Sequence, residues 1–144
     1  MKTRTKTDYI VIHCAATRPS QDVGAIEIDR WHRARGFDCI GYHYVICRDG
    51  SVEIGRNRNA IGAHAQGYNG RSIGVCMVGG VAEDDFRVPE NNFTEKQFIA
   101  LKLILKDLRE DYQAAAIVGH RDLDPTKACP SFDVRDWLNT NHVL

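Results

Sequence analysis

The sequence predicts a mixed α/β domain with a single central mixed β-sheet flanked by about three helices. Short β-branched runs, such as 8–13 and 73–78, are typical of buried strands. Between such runs, 22–35 and 95–112 carry apolar residues at helical spacing. Strands and helices therefore alternate along a chain of 144 residues, which is the length of one domain.

The first half of the chain supplies three predicted strands and one helix. The apolar run 8–13 predicts the first strand, and the amphipathic stretch 22–35, ended by a glycine, predicts the first helix. A second strand is expected over 40–47. An Asp-Gly pair at 49–50 then indicates a tight turn, which leads to a return strand over 52–54.

The second half begins with a long segment, 55–72, that is rich in glycine and asparagine. A loop of this length in a compact domain is often functional. The run 73–78 predicts another buried strand, and 115–118 predicts a short strand that leads to His120. A final helix is expected from about Ser131.

The strongest helix signal covers residues 95–112. Thr94 and Gln97 have the spacing of a capping box, in which each side chain bonds the backbone N–H of the other residue. Phe93 and Phe98 can form a hydrophobic staple across the same helix start. These signals fix where this helix begins.

Composition excludes several classes of function. Nineteen basic residues balance nineteen acidic ones, so binding of nucleic acid through a net positive field is disfavoured. The apolar runs are too short for a membrane span. Residues 1–7 are basic without a following apolar stretch, which predicts a flexible tail, no secretory signal, and a domain over 8–144. The five cysteines are odd in number and are expected to be thiols.

Two histidines and one cysteine could together bind a metal. His13 ends the first strand and His120 follows the strand 115–118, so both imidazoles emerge at one sheet edge if these strands are neighbours. Cys129 lies nine residues after His120, in a loop bounded by prolines, and can fold back toward them. Two imidazoles and one thiolate suit Zn²⁺ and leave a fourth position for water. Spacing alone favours the simpler interpretation, in which His13 is a core histidine and Cys129 a buried thiol.

A series of motifs resembles the T7-type phage lysozymes, which are zinc-dependent N-acetylmuramoyl-L-alanine amidases related to the peptidoglycan recognition proteins. The resemblance covers about residues 8–139. The motifs occur in the family's order and are VIHCAATRPS at 11–20, WH at 31–32, GYHY at 41–44, RDG at 48–50, GAHA at 62–65, GYN at 67–69, SIGVC at 72–76, GG at 79–80 and KACPSFD at 127–133.

The resemblance implies a role for individual residues. The family's three zinc ligands fall on His13, His120 and Cys129, its catalytic tyrosine falls on Tyr42, and its catalytic lysine falls on Lys127. The implied reaction is hydrolysis of the amide between the lactyl group of N-acetylmuramic acid and L-alanine, with one Zn²⁺ per chain. The segment from His120 to Cys129 is one residue longer than in phage relatives, which leaves the path of Lys127 open.

His64 is a further candidate because it lies in the long glycine-rich loop. We expect it to line the cleft and to contact substrate peptide or sugar; an exposed loop histidine is the alternative. His32 and His43 are expected to be structural. No carboxylate is placed as a general base by the sequence, so Tyr42 or the metal-activated water must take that part.

Partners and location follow from the resemblance. It implies peptidoglycan as substrate, synthesis in the host cytoplasm as a monomer, and action on the periplasmic wall after release by a separate membrane-permeabilising protein. Some phage members also bind and inhibit phage RNA polymerase. Two alternatives stay open: a binding module that has lost catalysis, and a hydrolase that uses Cys129 as nucleophile with His120 as base.

Overall fold

A five-stranded sheet forms the centre of the molecule, whose computed structural model describes residues 1–143. The strands and helices are β1 (Tyr9–Cys14), α1 (Ala25–Ala34), β2 (Tyr44–Ile46), β3 (Val52–Ile54), β4 (Ser72–Met77), α2 (Glu95–Asp111), β5 (Ala116–Gly119), α3 (His120–Leu123) and α4 (Val134–Thr140), with a 3-10 turn at Asn69–Arg71. The strand order is β3-β2-β4-β1-β5, and only β3 runs antiparallel to its neighbour. The predicted mixed α/β class is confirmed.

The helices cover both faces of the sheet. Leucines of α2 and residues of α4 pack with alternate residues of β1 and β4, such as Ile10, Ile12 and Val75, to form the larger apolar core. Ile28 of α1 packs on the opposite face, against Val45 and other residues whose side chains alternate with the first set. Each strand of the parallel core is therefore buried on both sides, as its unbroken apolar sequence predicts.

Strand alternation decides which side chains reach the future site. In β1, Ile10 and Ile12 face α2, so His13 lies on the α1 face of the sheet. On β4 the residue opposite Val11 is Gly74, and the residue opposite His13 is Cys76. The α1 face therefore presents His13 opposite Cys76, and the position without a side chain, Gly74, lies two residues earlier on β4.

The predicted strand 40–47 is shorter in the structure, where β2 begins only at Tyr44. The reason is that side chains satisfy the backbone before it. The guanidinium of Arg56 donates to the carbonyls of Cys39 and Ile40, and Nδ1 of His32 accepts from the N–H of Gly41. With these groups engaged by side chains, residues 39–41 need no neighbouring strand.

The N-terminal segment contacts the loop before the 3-10 turn. Thr3 pairs with Ala60 in an isolated bridge, and the N–H of Arg4 donates to the carbonyl of Asn59 at 2.7 Å. Arg4 is only 9% exposed, and its guanidinium donates to the carbonyls of Arg58 and Ala60. Residues 2–4 thus lie against the domain; the division into a flexible tail at 1–7 and a domain at 8–144 stays a prediction. None of the helices within residues 1–143 has the length and apolar character needed to cross a membrane.

Candidate metal centre and active-site cleft

Two neighbouring parallel strands bring His13 and His120 to one edge of the sheet. β1 pairs with β5 so that Ile12 lies opposite Gly119, the residue before each histidine. The two imidazole rings lie with their centroids 4.6 Å apart. The expectation that these strands are neighbours is confirmed, and it places both side chains at the carboxyl ends of parallel strands, where α/β proteins form their sites.

A series of turns returns the chain from His120 to Cys129. The N–H of Arg121 donates to the carbonyl of Cys129 at 2.9 Å, and the N–H of Lys127 donates to that of Asp124 at 3.0 Å. The loop so formed places Sγ of Cys129 at 3.7 Å from Nδ1 of His13.

The three side chains have the geometry of a metal site. One ligand atom from each of His13, His120 and Cys129 lies within 4.8 Å of the other two. A tetrahedral Zn²⁺ with Zn–N of about 2.0–2.1 Å and Zn–S of about 2.3 Å holds nitrogen and sulfur about 3.6 Å apart. The distance from Nδ1 of His13 to Sγ of Cys129 agrees with this value, so the residues fit the ion.

The local environment keeps both imidazoles neutral. Burial lowers the pKa of His13 well below its usual value, and the nearby histidines lower it further. Burial also lowers the pKa of His120, while Asp124 opposes this and Lys127 adds to it. A neutral imidazole offers the lone pair that a metal needs.

Cys129 requires a positive partner to become a thiolate. The thiol of Cys14, followed by burial, raises the pKa of Cys129 well above its usual value. The backbone N–H of Cys14, 3.2 Å from Sγ of Cys129, acts in the opposite direction. A coordinated cation deprotonates a thiol outright, which makes this sulfur better suited to a ligand than to a free nucleophile.

A solvent-accessible cleft of about 560 Å³ opens over these three residues. Its walls include both predicted catalytic side chains, Tyr42 and Lys127, as well as His64 and Asp124. The cleft is the volume in which a substrate could reach the metal ligands. The structure therefore brings all six residues that were singled out in the sequence to one place.

Tyr42 lies between His13 and helix α1. Its ring centroid is 5.0 Å from that of His13 and 5.3 Å from that of His32. Burial, and then the neighbouring cysteines, raise the pKa of Tyr42 well above its usual value. The phenol is therefore protonated at neutral pH, and the residue lines the cleft.

His64 has intramolecular partners on both ring nitrogens. Nδ1 is 2.8 Å from Nε2 of His13, and Nε2 is 3.2 Å from Oγ of Ser72. Burial, and then the nearby imidazoles of His43 and His120, lower the pKa of His64 to about 3, so the ring is neutral. The expectation that His64 contacts substrate stays a prediction.

Sequence reasoning missed three contributors to the site. Cys14 contributes its backbone N–H, which lies 3.2 Å from Sγ of Cys129. Asn69 lies in the GYN motif, and its side-chain oxygen accepts the N–H groups of His64 and Ala65. Asp124 lines the cleft beside Lys127. An asparagine after a glycine-rich stretch indicates a side-chain-bonded turn, but which turn depends on the fold.

Known proteins resemble this chain over most of its length. The family model for N-acetylmuramoyl-L-alanine amidase matches residues 3–132. The endolysin of Escherichia phage T7 is 47% identical over 143 residues, which cover 99% of this chain and 93% of that relative. The endolysin of Enterobacteria phage K11 is 46% identical over 141 residues, covering 98% of this chain and 91% of the relative.

Solved structures extend the comparison to the fold. The endolysin N-acetylmuramoyl-L-alanine amidase LysCS from Clostridium intestinale superposes with a TM-score of 0.83 at 26% identity, covering 100% of this chain and 90% of that chain. Drosophila PGRP-LB shares the fold with a TM-score of 0.75 at 23% identity, covering 96% of this chain and 84% of its own. The predicted relationship is confirmed: the chain belongs to the N-acetylmuramoyl-L-alanine amidase family.

Proposed function

We propose that this chain is a zinc-dependent endolysin that hydrolyses the amide between the lactyl group of N-acetylmuramic acid and L-alanine in peptidoglycan. The observation that supports this most is the convergence of His13, His120 and Cys129, with ligand atoms within 4.8 Å of one another, on the floor of an open cleft. The family match and the phage endolysin relatives support the substrate and the bond.

His13, His120 and Cys129 would hold one Zn²⁺ through two nitrogens and one sulfur. When bound, the ion supplies Lewis acidity, which activates water near neutral pH and polarises a carbonyl. Three protein ligands would leave one position for water, as catalytic zinc sites require, and the cleft lies beside these residues. The site would thus activate the attacking water without a glutamate of the kind used by HExxH peptidases.

Tyr42 and Lys127 would stabilise the negative charge that develops during the reaction. Attack on the amide carbonyl builds negative charge on its oxygen, and Lys127 lines the cleft where a point charge can stabilise it. Because burial raises its pKa, Tyr42 keeps its proton and donates a hydrogen bond to the same oxygen. The two side chains share the role of an oxyanion-binding pair.

The Cys129–His120 nucleophilic mechanism is less well supported. The neighbouring thiol of Cys14 and burial raise the pKa of Cys129, whereas cysteine nucleophiles lie in environments that lower it. Sγ of Cys129 also lies 3.7 Å from a second imidazole nitrogen, on His13, which suits shared coordination. These contacts favour a ligand.

The bond that is cut can be read directly from digestion products. Purified protein reconstituted with one equivalent of Zn²⁺ is incubated with cell walls stripped of outer membrane, and the products are analysed by mass spectrometry. We expect free stem peptides that begin with L-alanine and glycan strands with unsubstituted lactyl groups. A chelator and Cys129→Ala are each expected to abolish release, whereas Cys39→Ala, at a half-buried thiol bonded only to the adjacent carbonyl, serves as the matched control.

Three results would contradict the proposed function. Cleaved glycosidic bonds would assign a different hydrolase, and wall binding without any cleavage would indicate a binding module. Release that survives chelation would remove the metal from the reaction.

The broader setting also belongs to this proposal. The phage endolysin relatives support synthesis in the host cytoplasm and action on the wall after membrane permeabilisation. A monomeric state and binding of phage RNA polymerase stay predictions. A pull-down with the polymerase, comparing the full chain with one lacking residues 1–7, tests the second of them.

A further inference from the structure

A chain of hydrogen bonds connects His13 to the backbone beneath the cleft. Nε2 of His13 lies 2.8 Å from Nδ1 of His64, whose Nε2 lies 3.2 Å from Oγ of Ser72. The Ser72 hydroxyl in turn donates to the carbonyl of Tyr68 at 2.8 Å. The chain ends on an atom that can only accept.

Because the last atom of this hydrogen-bonded series can only accept, it determines which nitrogen or oxygen carries the proton in each of the bonds. Because the Ser72 hydroxyl gives its hydrogen to the carbonyl, its oxygen accepts from Nε2–H of His64. Nδ1 of a neutral His64 is then unprotonated and accepts from Nε2–H of His13. His13 is left with a lone pair on Nδ1, the atom that lies 3.7 Å from Sγ of Cys129.

Gly62 and Gly74 leave a slot that the ring of His64 occupies. A methyl group on Gly74 would lie 2.7 Å from Cγ of the ring, and one on Gly62 would lie 2.8 Å from its Cδ2. Both distances are too short for real contacts, so only glycine at these positions lets the ring lie flat against β4. The side-chain oxygen of Asn69 holds the backbone N–H of His64 at 2.8 Å.

We propose that His64 is a positioning residue for the metal centre: it fixes the tautomer and orientation of His13 so that Nδ1 faces the metal. This inference rests on the proposed function for the identity of the ligands. His64 reaches the reaction through His13 and does not need to contact substrate. Groups that hold the second nitrogen of a ligating histidine commonly set metal affinity in this way.

Zinc affinity provides the first test, measured by competition with a chromophoric chelator. His64→Leu fills the slot but cannot accept a hydrogen bond, and we expect it to weaken zinc binding about 10- to 100-fold. His64→Asn places a carbonyl oxygen near the position of Nδ1 and is expected to retain most of the affinity. His142→Gln, at an exposed residue near the C-terminus, is the matched control and is expected to bind as the wild type does.

The tautomer of His13 provides a readout that does not depend on activity. Long-range ¹⁵N–¹H NMR spectra of the full-length protein, recorded with chelator, distinguish a proton on Nε2 from one on Nδ1. We expect His13 of the wild type and of His64→Asn to carry its proton on Nε2. In His64→Leu we expect a mixture of the two tautomers.

The glycine slot gives an independent variant. Gly74→Ala is expected to displace the His64 ring and to weaken zinc binding as His64→Leu does. Gly70→Ala adds the same methyl group at a position with no atom within 4 Å and is expected to leave binding unchanged.

The outcomes separate this inference from the proposed function. If the wild type binds zinc but His64→Leu matches it in affinity and in His13 tautomer, the positioning role is overturned. A raised KM for a soluble muropeptide with unchanged zinc affinity would instead make His64 a substrate contact. If the wild type itself fails to bind zinc, the proposed function fails.

Discussion

At the scale of single residues, Tyr42 and Lys127 separate catalysis from metal binding. Both line the cleft, and neither is among the three residues whose ligand atoms converge. In the proposed function, Tyr42 and Lys127 act on charge that develops on the substrate oxygen. Loss of either group should therefore slow the reaction while the metal stays in place.

Substitution of Tyr42 and Lys127 tests whether these residues act in catalysis without binding the metal. We expect Lys127→Ala and Tyr42→Phe each to reduce kcat by about 10²- to 10³-fold, because each removes one donor to the oxyanion. Zinc stoichiometry should remain at one per chain in both. Muropeptide turnover and metal analysis are measured on the same preparations, and loss of zinc from either variant would make that residue part of the metal site.

The three candidate metal ligands could be predicted from the sequence, because strand ends in a parallel sheet converge. His13 and His120 each follow an apolar run, and Cys129 lies within one loop of the second. The role of His64 could not be predicted in this way, since its contacts depend on the glycine-lined slot between loop and strand. Likewise, no residue pattern indicates that the backbone N–H and the thiol of Cys14 lie close to Cys129.

At the scale of elements, the start of α2 is bonded to the sheet. Thr94 and Gln97 form the predicted capping box, with the N–H of each accepted by the side chain of the other. The fully buried amide of Gln97 also donates to the carbonyls of Ile46 and Val78. One side chain thus caps the helix and satisfies the ends of two strands.

Gln97→Ala should reveal this double role. The variant loses the capping bond that the side-chain oxygen accepts, the bond of the same oxygen with Arg48, and the amide donor to the carbonyls of Ile46 and Val78. These two carbonyls keep the N–H of Val78 and the guanidinium of Arg48, respectively, as their other donors. We expect the free energy of unfolding to fall by about 2–4 kcal/mol, because four hydrogen bonds are lost together. Gln113→Ala, at an exposed position beyond the same helix, should change it by less than about 0.5 kcal/mol. Urea denaturation followed by circular dichroism measures both, and equal stability of the two variants would contradict the assigned role.

Most elements were predictable because their signals are local. The cap and the Phe93–Phe98 contact, with ring centroids 5.9 Å apart, follow from spacing alone. The start of β2 could not be predicted from spacing, because Arg56 donates to the carbonyls of residues 39 and 40 from a distant loop. Helix α3 spans only His120–Leu123, too short for any periodic pattern.

At the scale of the whole molecule, Arg4 connects the N-terminal segment to the domain. Its guanidinium donates to the carbonyls of Arg58 and Ala60 and lies over the ring of Tyr112 at 5.7 Å from the centroid. Ala60 also accepts a hydrogen bond from His43, a fully buried residue in the layer behind the cleft. The N-terminal segment therefore supports the loop that contains Arg58 and Ala60, behind the cleft.

Arg4→Ala tests this connection. We expect a loss of about 1–3 kcal/mol in the free energy of unfolding, since buried carbonyls lose a charged donor. Lys6→Ala removes an exposed cation of the same segment, paired with Asp8 at the surface, and should cost less than about 0.5 kcal/mol. If thermal or urea denaturation shows no difference between the variants, residues 1–7 behave as the predicted flexible tail.

The buried neutral histidines make folding depend on pH. Burial lowers the pKa of His43 to about 4 and that of His64 to about 3. Below the ordinary histidine pKa of about 6.5, the unfolded chain takes up protons that the folded protein does not, so stability is lost as pH falls. This loss of stability occurs between about pH 6.5 and the lowered pKa values of about 4 for His43 and about 3 for His64.

For protein kept free of metal by a chelator, we expect the free energy of unfolding to fall by about 2 kcal/mol per such histidine between pH 7 and pH 5. Urea denaturation at both pH values measures the change. Equal stability at pH 7 and pH 5 would show that these rings accept protons in the folded state.

The central claim is that His13, His120 and Cys129 bind one zinc ion. X-ray absorption at the zinc edge measures this shell directly in the purified protein. The account predicts one zinc per chain with two imidazole nitrogens at about 2.0–2.1 Å and one sulfur at about 2.3 Å. A zinc shell without sulfur, or protein that retains no zinc after reconstitution, would contradict it.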